Sequence, residues 1–212
     1  MWVIEWRFAR TGSLTGALNR KAFFEIVERE DIQSGIIVLV YADVNGLKDI
    51  NDKLGHEAGD AALLEFANRV RRSVRKTDVF ARVGGDEFVV FLRVRDLMSA
   101  QHVAQRLNNA LNDHECSPVS PGLTCSLGAL VLPAGSKSID TELRQADSLM
   151  YHAKRGNVGL MMAVSIKGDL QEIVPYAPVS NPDGQQRAVV RSSERPSGPT
   201  PTAGSPVNSS VH

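Results

Sequence analysis

Residues 35–41, Gly-Ile-Ile-Val-Leu-Val-Tyr, form a near-continuous apolar run. A strand with one wet face alternates apolar and polar side chains, whereas an uninterrupted apolar strand is covered on both faces. This one run therefore calls for a sheet with packed layers above and below it. It ends in Ala42 and Asp43, so the first charged group appears at the strand end, where sheets of this kind display ligand-binding groups.

The surrounding patterns supply the layers. Residues 19–30 carry Ala22, Phe23, Ile26 and Val27 on one helical face, and residues 60–75 place Leu63, Phe66, Ala67, Val70 and Val74 at helical spacing. Residues 97–111 and 141–154 read as further helices. Residues 123–132 read as a strand forming one arm of a hairpin, and residues 160–165 as a final strand. Helices and hairpins around a central buried strand predict an α+β sheet flanked by helices, with the strand order left open.

A second feature carries the chemistry. In Arg82-Val83-Gly84-Gly85-Asp86-Glu87-Phe88 a Gly-Gly pair between two apolar runs is followed at once by two acids. The pattern predicts a hairpin with a two-residue turn, the glycines supplying positive φ angles and the acids sitting at the tip. No cation stands beside the acids in sequence, which suggests a metal or phosphate-handling site. If the buried strand lies beside this hairpin, Asp43 and Asp86 converge, and two hard carboxylates suit Mg²⁺ with phosphates as its remaining ligands. Asp43 alone reads better as a solvated strand-end acid, because Asp is common there; the hairpin acids in the same chain favour the metal.

Between them runs Lys48-Asp49-Ile50-Asn51-Asp52-Lys53-Leu54-Gly55-His56-Glu57-Ala58-Gly59-Asp60. An Asp can accept from the N1–H and exocyclic amine of guanine, and an Asn can donate to O6 or N7. Taken singly, Asn51 reads equally as a turn residue and Asp60 as the N-cap of the helix beside it.

Bulk properties narrow the classes. Lys+Arg and Asp+Glu both number 24, so the chain carries no net charge, which removes weight from a non-specific binder of nucleic acid polymers. Cys116 and Cys125 have no metal-ligand spacing. Residues 1–8 are too short and too charged for a signal peptide or a membrane span, no other run reaches spanning length, and a cytoplasmic location is the expectation. Seven of the ten prolines lie beyond residue 168, as in a tail unable to offset its ordering entropy. The expected organisation is a lead over 1–12, one folded domain over 13–166 and a disordered Pro/Ser/Gly-rich tail over 167–212.

Four blocks in order resemble the GGDEF domain of diguanylate cyclases: Leu14-Thr15-Gly16-Ala17-Leu18-Asn19-Arg20, Asp43 through Asp60, Arg82 through Phe88, and Ala146-Asp147-Ser148-Leu149-Met150-Tyr151-His152-Ala153-Lys154. Ser126-Leu127-Gly128 is similar to a short strand motif of the same family. The resemblance covers about residues 13–165. It implies a palm-like α+β fold with a ferredoxin-like core, and condensation of two GTP into cyclic di-GMP with release of pyrophosphate. It places Mg²⁺, with Mn²⁺ as an alternative, on Asp43, the Val44 carbonyl and Asp86. It implies that Asn51 and Asp60 read guanine, that His56 lies in the same substrate loop, and that Gly46 and Leu47 offer backbone N–H groups to phosphates. Lys48 matches a residue that stabilises the transition state, and Lys154 would reach the phosphates from the last helix. Asp86 or Glu87 would assist deprotonation of the attacking hydroxyl. Each subunit would hold one GTP, so turnover requires an antiparallel homodimer.

The resemblance also implies a product-inhibition site. Arg75-Lys76-Thr77-Asp78 fits an Arg-x-x-Asp pattern with five residues between it and Gly84; Arg75 can fork onto a guanine edge or phosphate and Asp78 can accept from guanine N–H groups. The alternative is a helix-end Arg beside a solvated Asp. The chain departs from the family pattern at Gly12 and Asn45, where Asp is usual, and at Arg155-Gly156-Asn157, where a second phosphate-binding cation is usual. No sensor domain or coiled helix stands before residue 13, so a stand-alone cyclase and a fragment are both expected readings. The competing function is a non-catalytic module that binds GTP or cyclic di-GMP; degenerate receptors lose the hairpin acids, and both are kept here. A cyclase for ATP is a third, disfavoured by Asp60 because adenine has no N1–H.

Overall fold

A computed structural model describes residues 11–30, 35–112, 123–133, 139–166 and 169–172. In chain order its elements are β1 (Leu18–Asn19), α1 (Arg20–Val27), β2 (Ile36–Asn45), α2 (Leu47–Leu54), α3 (His56–Ser73), β3 (Val79–Arg82), β4 (Glu87–Val94), α4 (Leu97–Asn112), β5 (Thr124–Pro133), α5 (Ile139–Arg155), β6 (Leu160–Ile166) and β7 (Asp169–Glu172). The strands form one seven-stranded sheet in the order β1-β3-β4-β2-β5-β6-β7. The apolar run is its central strand, and all of Ile37 to Val44 is buried.

Alternation along β2 divides the core into two layers. Val38, Val40, Ala42 and Val44 pack with Leu63, Phe66 and Val70 of α3 and Val103 and Leu107 of α4. Ile37, Leu39 and Tyr41 pack on the opposite face with Phe23 of α1 and Leu143, Ala146 and Met150 of α5. The α+β expectation is met, with mixed strand directions: β2 runs antiparallel to β4 and β5, while β5 and β6 are parallel across the α5 crossover.

Three local expectations change. β5 is no arm of a local hairpin, because its partners are β2 and β6. Residues 47–54 form a helix, bounded by Gly46 at φ 73° and Gly55 at φ 87°. The β3–β4 connection is longer than a two-residue turn, closing with Val83 N–H donating to the Glu87 carbonyl at 2.9 Å. Neither Gly84 nor Gly85 has a positive φ. β7 pairs with β6 beyond residue 166, within the stretch expected to be tail; residues 173–212, the lead residues 1–10 and Cys116 lie outside the described residues. Cys125 is a buried free thiol. Among the described residues no helix is long and apolar enough to cross a membrane.

Candidate functional site

Register brings the acids together. Asp43 near the end of β2 pairs with Glu87 at the start of β4 on one side and with Ser126 of β5 on the other. Directly paired residues point to the same face of a sheet, here the face covered by α5. The Val44 N–H donates to the Asp86 carbonyl at 3.0 Å, seating the hairpin tip against the end of β2. From α5, Lys154 reaches down and its Nζ meets Asp43 Oδ1 at 2.7 Å. At this end of the sheet the structure brings together Asp43, Val44, the Asp86 backbone, Glu87 and Lys154.

Two close approaches set the last element in place. A Cβ on Gly128 would collide with the α5 backbone at Ala146 and Met150, so α5 lies directly on β5 and its C-terminal turn overhangs Asp43. On the hairpin, Arg82 donates from Nε to the Gly85 carbonyl at 3.1 Å and its guanidinium lies over the Phe88 ring, bracing the tip.

The cluster is short of positive charge. Burial raises the proton affinity of Glu87, and repulsion from Asp147, Asp86 and Asp43 adds to it, opposed by the hydrogen bond from Tyr41. Burial and the Asp43 charge likewise raise Asp147. Burial and Glu87 push the Tyr41 hydroxyl upward. Carboxylates held back from ionising by burial first, and by one another second, favour a cation beside them. Among the described residues no three His, Cys, Asp or Glu side chains already form a metal-holding group, and Asp43 is instead neutralised by Lys154. The donor chemistry, hard oxygens with excess negative charge, fits a divalent cation such as Mg²⁺.

Helix α2 starts just beyond Asp43, and α3 follows it after Gly55. Glycine stands at the N-cap of both, so neither has a side-chain cap bond, and helix N-termini favour anions. Gly46 precedes α2 and Leu47 opens it, with Lys48 exposed in its first turn. His56 opens α3 and is exposed. Asp60 sits a turn inside α3 and is no N-cap, because the helix starts earlier than its apolar pattern indicates. Asn51 of α2 packs on Gly59, where any Cβ would strike its Oδ1, so Asn51 comes beside Asp60 at the α2–α3 corner. Arg75 and Asp78 stand in the α3–β3 turn, with Arg75 N–H donating to Asp78 Oδ2 at 2.7 Å. They line a cavity of about 430 Å³ together with Arg93, Arg95, His102 and Arg106, and this cavity shares no residue with the acidic cluster.

The sequence reading missed several contributors. Tyr41 was hidden inside the apolar run. Asn45 Nδ2 donates to Thr124 Oγ1 and its Oδ1 accepts from Ser126 Oγ, both at 3.2 Å, pinning the end of β2 to β5 with a donor that an Asp could not supply. The sequence already puts Asp147 on one helical face with Tyr151 and Lys154, but its place beside Glu87 and Asp43 comes from the packing of α5 on the sheet.

A family model described as "Diguanylate cyclase, GGDEF domain" matches residues 9–158. This chain belongs to the GGDEF domain family. It is 36% identical over 148 residues to the diguanylate cyclase DgcS of Shewanella oneidensis, covering 67% of this chain and 48% of that protein. It is 35% identical over 155 residues to the diguanylate cyclase DgcP of Pseudomonas aeruginosa, covering 69% of this chain and 23% of that protein. The chain thus spans less than half the length of these curated relatives. Among solved structures, the GGDEF domain of DgcB from Caulobacter crescentus in complex with c-di-GMP superposes with a TM-score of 0.64 at 26% identity, covering 74% of this chain and 96% of that one. The isolated GGDEF domain of TpbB from Pseudomonas aeruginosa gives a TM-score of 0.64 at 29% identity, covering 74% and 94%. The GGDEF and palm-like α+β expectations are both met.

Proposed function

We propose that this GGDEF chain is a diguanylate cyclase, condensing two GTP into cyclic di-GMP and two pyrophosphates. The observation that carries the reading is the convergence, at one end of the sheet, of Asp43 with Glu87 in register, the hairpin tip bonded to Val44, and Lys154 on Asp43. The N-terminus of α2, just beyond Asp43, suits a triphosphate, and the Asn51–Asp60 corner suits a guanine edge.

In this reading Asn51 and Asp60 hold the base, with His56 at the mouth of the same corner. Gly46 and Leu47 N–H groups bind phosphate oxygens, and Lys48 and Lys154 neutralise the charge that builds on them. Asp43, the Val44 carbonyl and Asp86 would hold Mg²⁺, or Mn²⁺ in its place. When bound, the ion screens the triphosphate and lowers the pKa of the 3′-hydroxyl. The 3′-oxygen of one GTP forms a bond to the α-phosphorus of the other, the bond to the β-phosphate bridge breaks, and pyrophosphate leaves. Asp86 or Glu87 takes the hydroxyl proton; the raised proton affinity of Glu87 suits it to that task. Each chain holds one GTP, so two chains face each other as an antiparallel homodimer, and alignment of the two nucleotides accounts for much of the rate. The catalytic unit is residues 13–166, with β7 extending its sheet. GTP supply places the reaction in the cytoplasm.

Arg75, Asp78 and the arginine-lined cavity form the proposed product site, where forked guanidinium donors suit a cyclic dinucleotide's phosphates and guanine edges. Arg75→Ala is expected to weaken product inhibition several-fold with little change in initial rate. Initial rates measured across added cyclic di-GMP test this, and superimposable inhibition curves for the variant and the parent count against it.

The decisive experiment incubates the chain with GTP and Mg²⁺ and separates the nucleotides by chromatography. Cyclic di-GMP is the expected product. Its absence from a folded, concentrated sample rejects the cyclase and leaves the binding module, which calorimetry with GTP and cyclic di-GMP would then detect.

A further inference from the structure

We infer that Lys154 is a counter-ion latch on Asp43 that makes binding of the divalent cation and binding of GTP depend on each other. This rests on the cyclase reading for the identity of both ligands. Asp43 is 8% exposed, among acids that repel it, and Lys154 Nζ sits 2.7 Å from its Oδ1. A carboxylate this buried needs a partner, and the Lys154 ammonium serves as one.

A divalent ion on Asp43 would stand close to that ammonium, and cations so placed repel strongly away from bulk water. The ion alone must therefore displace Lys154 or bear the repulsion. Displacement has a route, because the Lys154 side chain is 46% exposed and ends a helix whose following turn is exposed. Beside it lies a polar cavity of about 440 Å³ lined by Asn45, Thr124, Ser126, Lys154 and Asn157. Among the described residues Lys154 is the only charged group in that lining, and they offer it no other anion there. A triphosphate supplies one. When the nucleotide enters, Lys154 can transfer from Asp43 to a phosphate oxygen, leaving the carboxylate free for the cation. The two ligands then strengthen each other by the same factor, as linkage requires.

The test is Mn²⁺ binding measured by electron paramagnetic resonance on nucleotide-free protein, for the parent, Lys154→Met and Lys154→Arg. A second series adds a non-hydrolysable GTP analogue, with the signal of analogue and Mn²⁺ alone subtracted. Without nucleotide, Lys154→Met is expected to bind Mn²⁺ about tenfold more tightly than the parent, and Lys154→Arg to stay as weak as the parent. The analogue is expected to tighten Mn²⁺ binding about tenfold in the parent and to do little in Lys154→Met. Equal Mn²⁺ affinity of parent and Lys154→Met, or equal tightening by the analogue, overturns the latch. If the parent still makes cyclic di-GMP, the cyclase reading survives that result. A parent that binds no Mn²⁺ with or without the analogue overturns the metal-dependent site and the latch with it.

Discussion

Glu87 pairs in register with Asp43, accepts from the Tyr41 hydroxyl and feels Asp147 and Asp86 nearby. Its proton affinity and that of Asp147 lie above the ordinary carboxylate range. The folded chain therefore holds these protons more tightly than the unfolded chain. Their contribution to stability is fully present below the ordinary carboxylate pKa and is lost as pH rises through the raised values. Asp96 runs the other way. Its carboxylate accepts from the Ser99 N–H at 2.8 Å and is lowered to about 2 by its bonds to Ser99 and Arg95. Its contribution is present above the ordinary range and disappears as pH falls toward that value. Thermal melts of metal-free protein should accordingly lose stability as pH rises from about 4, the ordinary carboxylate range, through the raised values of these two groups. Glu87→Gln should flatten that slope and raise Tm by about 2–4 °C for each kcal/mol relieved, while turnover is lost. A Glu87→Gln chain melting at or below the parent at neutral pH would show that the crowded acids cost nothing.

At the scale of elements, two glycines place the site, each by what it leaves out. Gly59→Ala would push Asn51 off the α2–α3 corner, because the added carbon strikes Asn51 Oδ1; KM for GTP should rise about tenfold with a smaller change in kcat. Steady-state kinetics decide it, and an unchanged KM would remove Asn51 from base recognition. Gly128→Val would drive α5 off the sheet at Ala146 and Met150, costing about 1–3 kcal/mol or more in urea unfolding, and a stability equal to the parent's would mean that α5 is not set by this contact. The same elements show what a sequence can carry. The buried strand, the apolar faces of α3 to α5 and the acids after the Gly-Gly pair were legible because burial and motif are local. α2 read as a loop because only Leu47 of its eight residues is buried, which leaves no apolar period to detect. The tip glycines suggested a tight turn, yet a Cβ at Gly84 would meet the Glu87 side chain, so this glycine serves close approach, not a positive φ. Tyr41 was unreadable inside an apolar run, because which face of the strand meets Glu87 is a matter of register with β4. The partners of β5 are set by pairings far apart in sequence, which no local pattern reports.

For the molecule as a whole, the described residues of one chain offer one acidic cluster and one proposed base-reading corner, while the proposed product joins two nucleotides. Turnover per chain should therefore fall on dilution as dimers dissociate. Initial rates over a wide dilution series, read beside sedimentation, test this; a constant rate per chain while sedimentation shows monomers would exclude catalysis between two chains. The central position of β2 has another consequence. Its ladder with β4 reaches Val94 and its ladder with β5 reaches Pro133, so both neighbours of Ile36–Asn45 are made long after it. Chains emerge from the ribosome N-terminus first. During synthesis Ile-Ile-Val-Leu-Val is an uncovered, β-prone, uncharged segment of the kind that adheres to its own copies. Its first pairing partner appears only once β4 is made, and its second only with β5. Vectorial synthesis thus releases the stickiest segment of this domain early and its shields late, which makes protection of the nascent chain a condition of its yield.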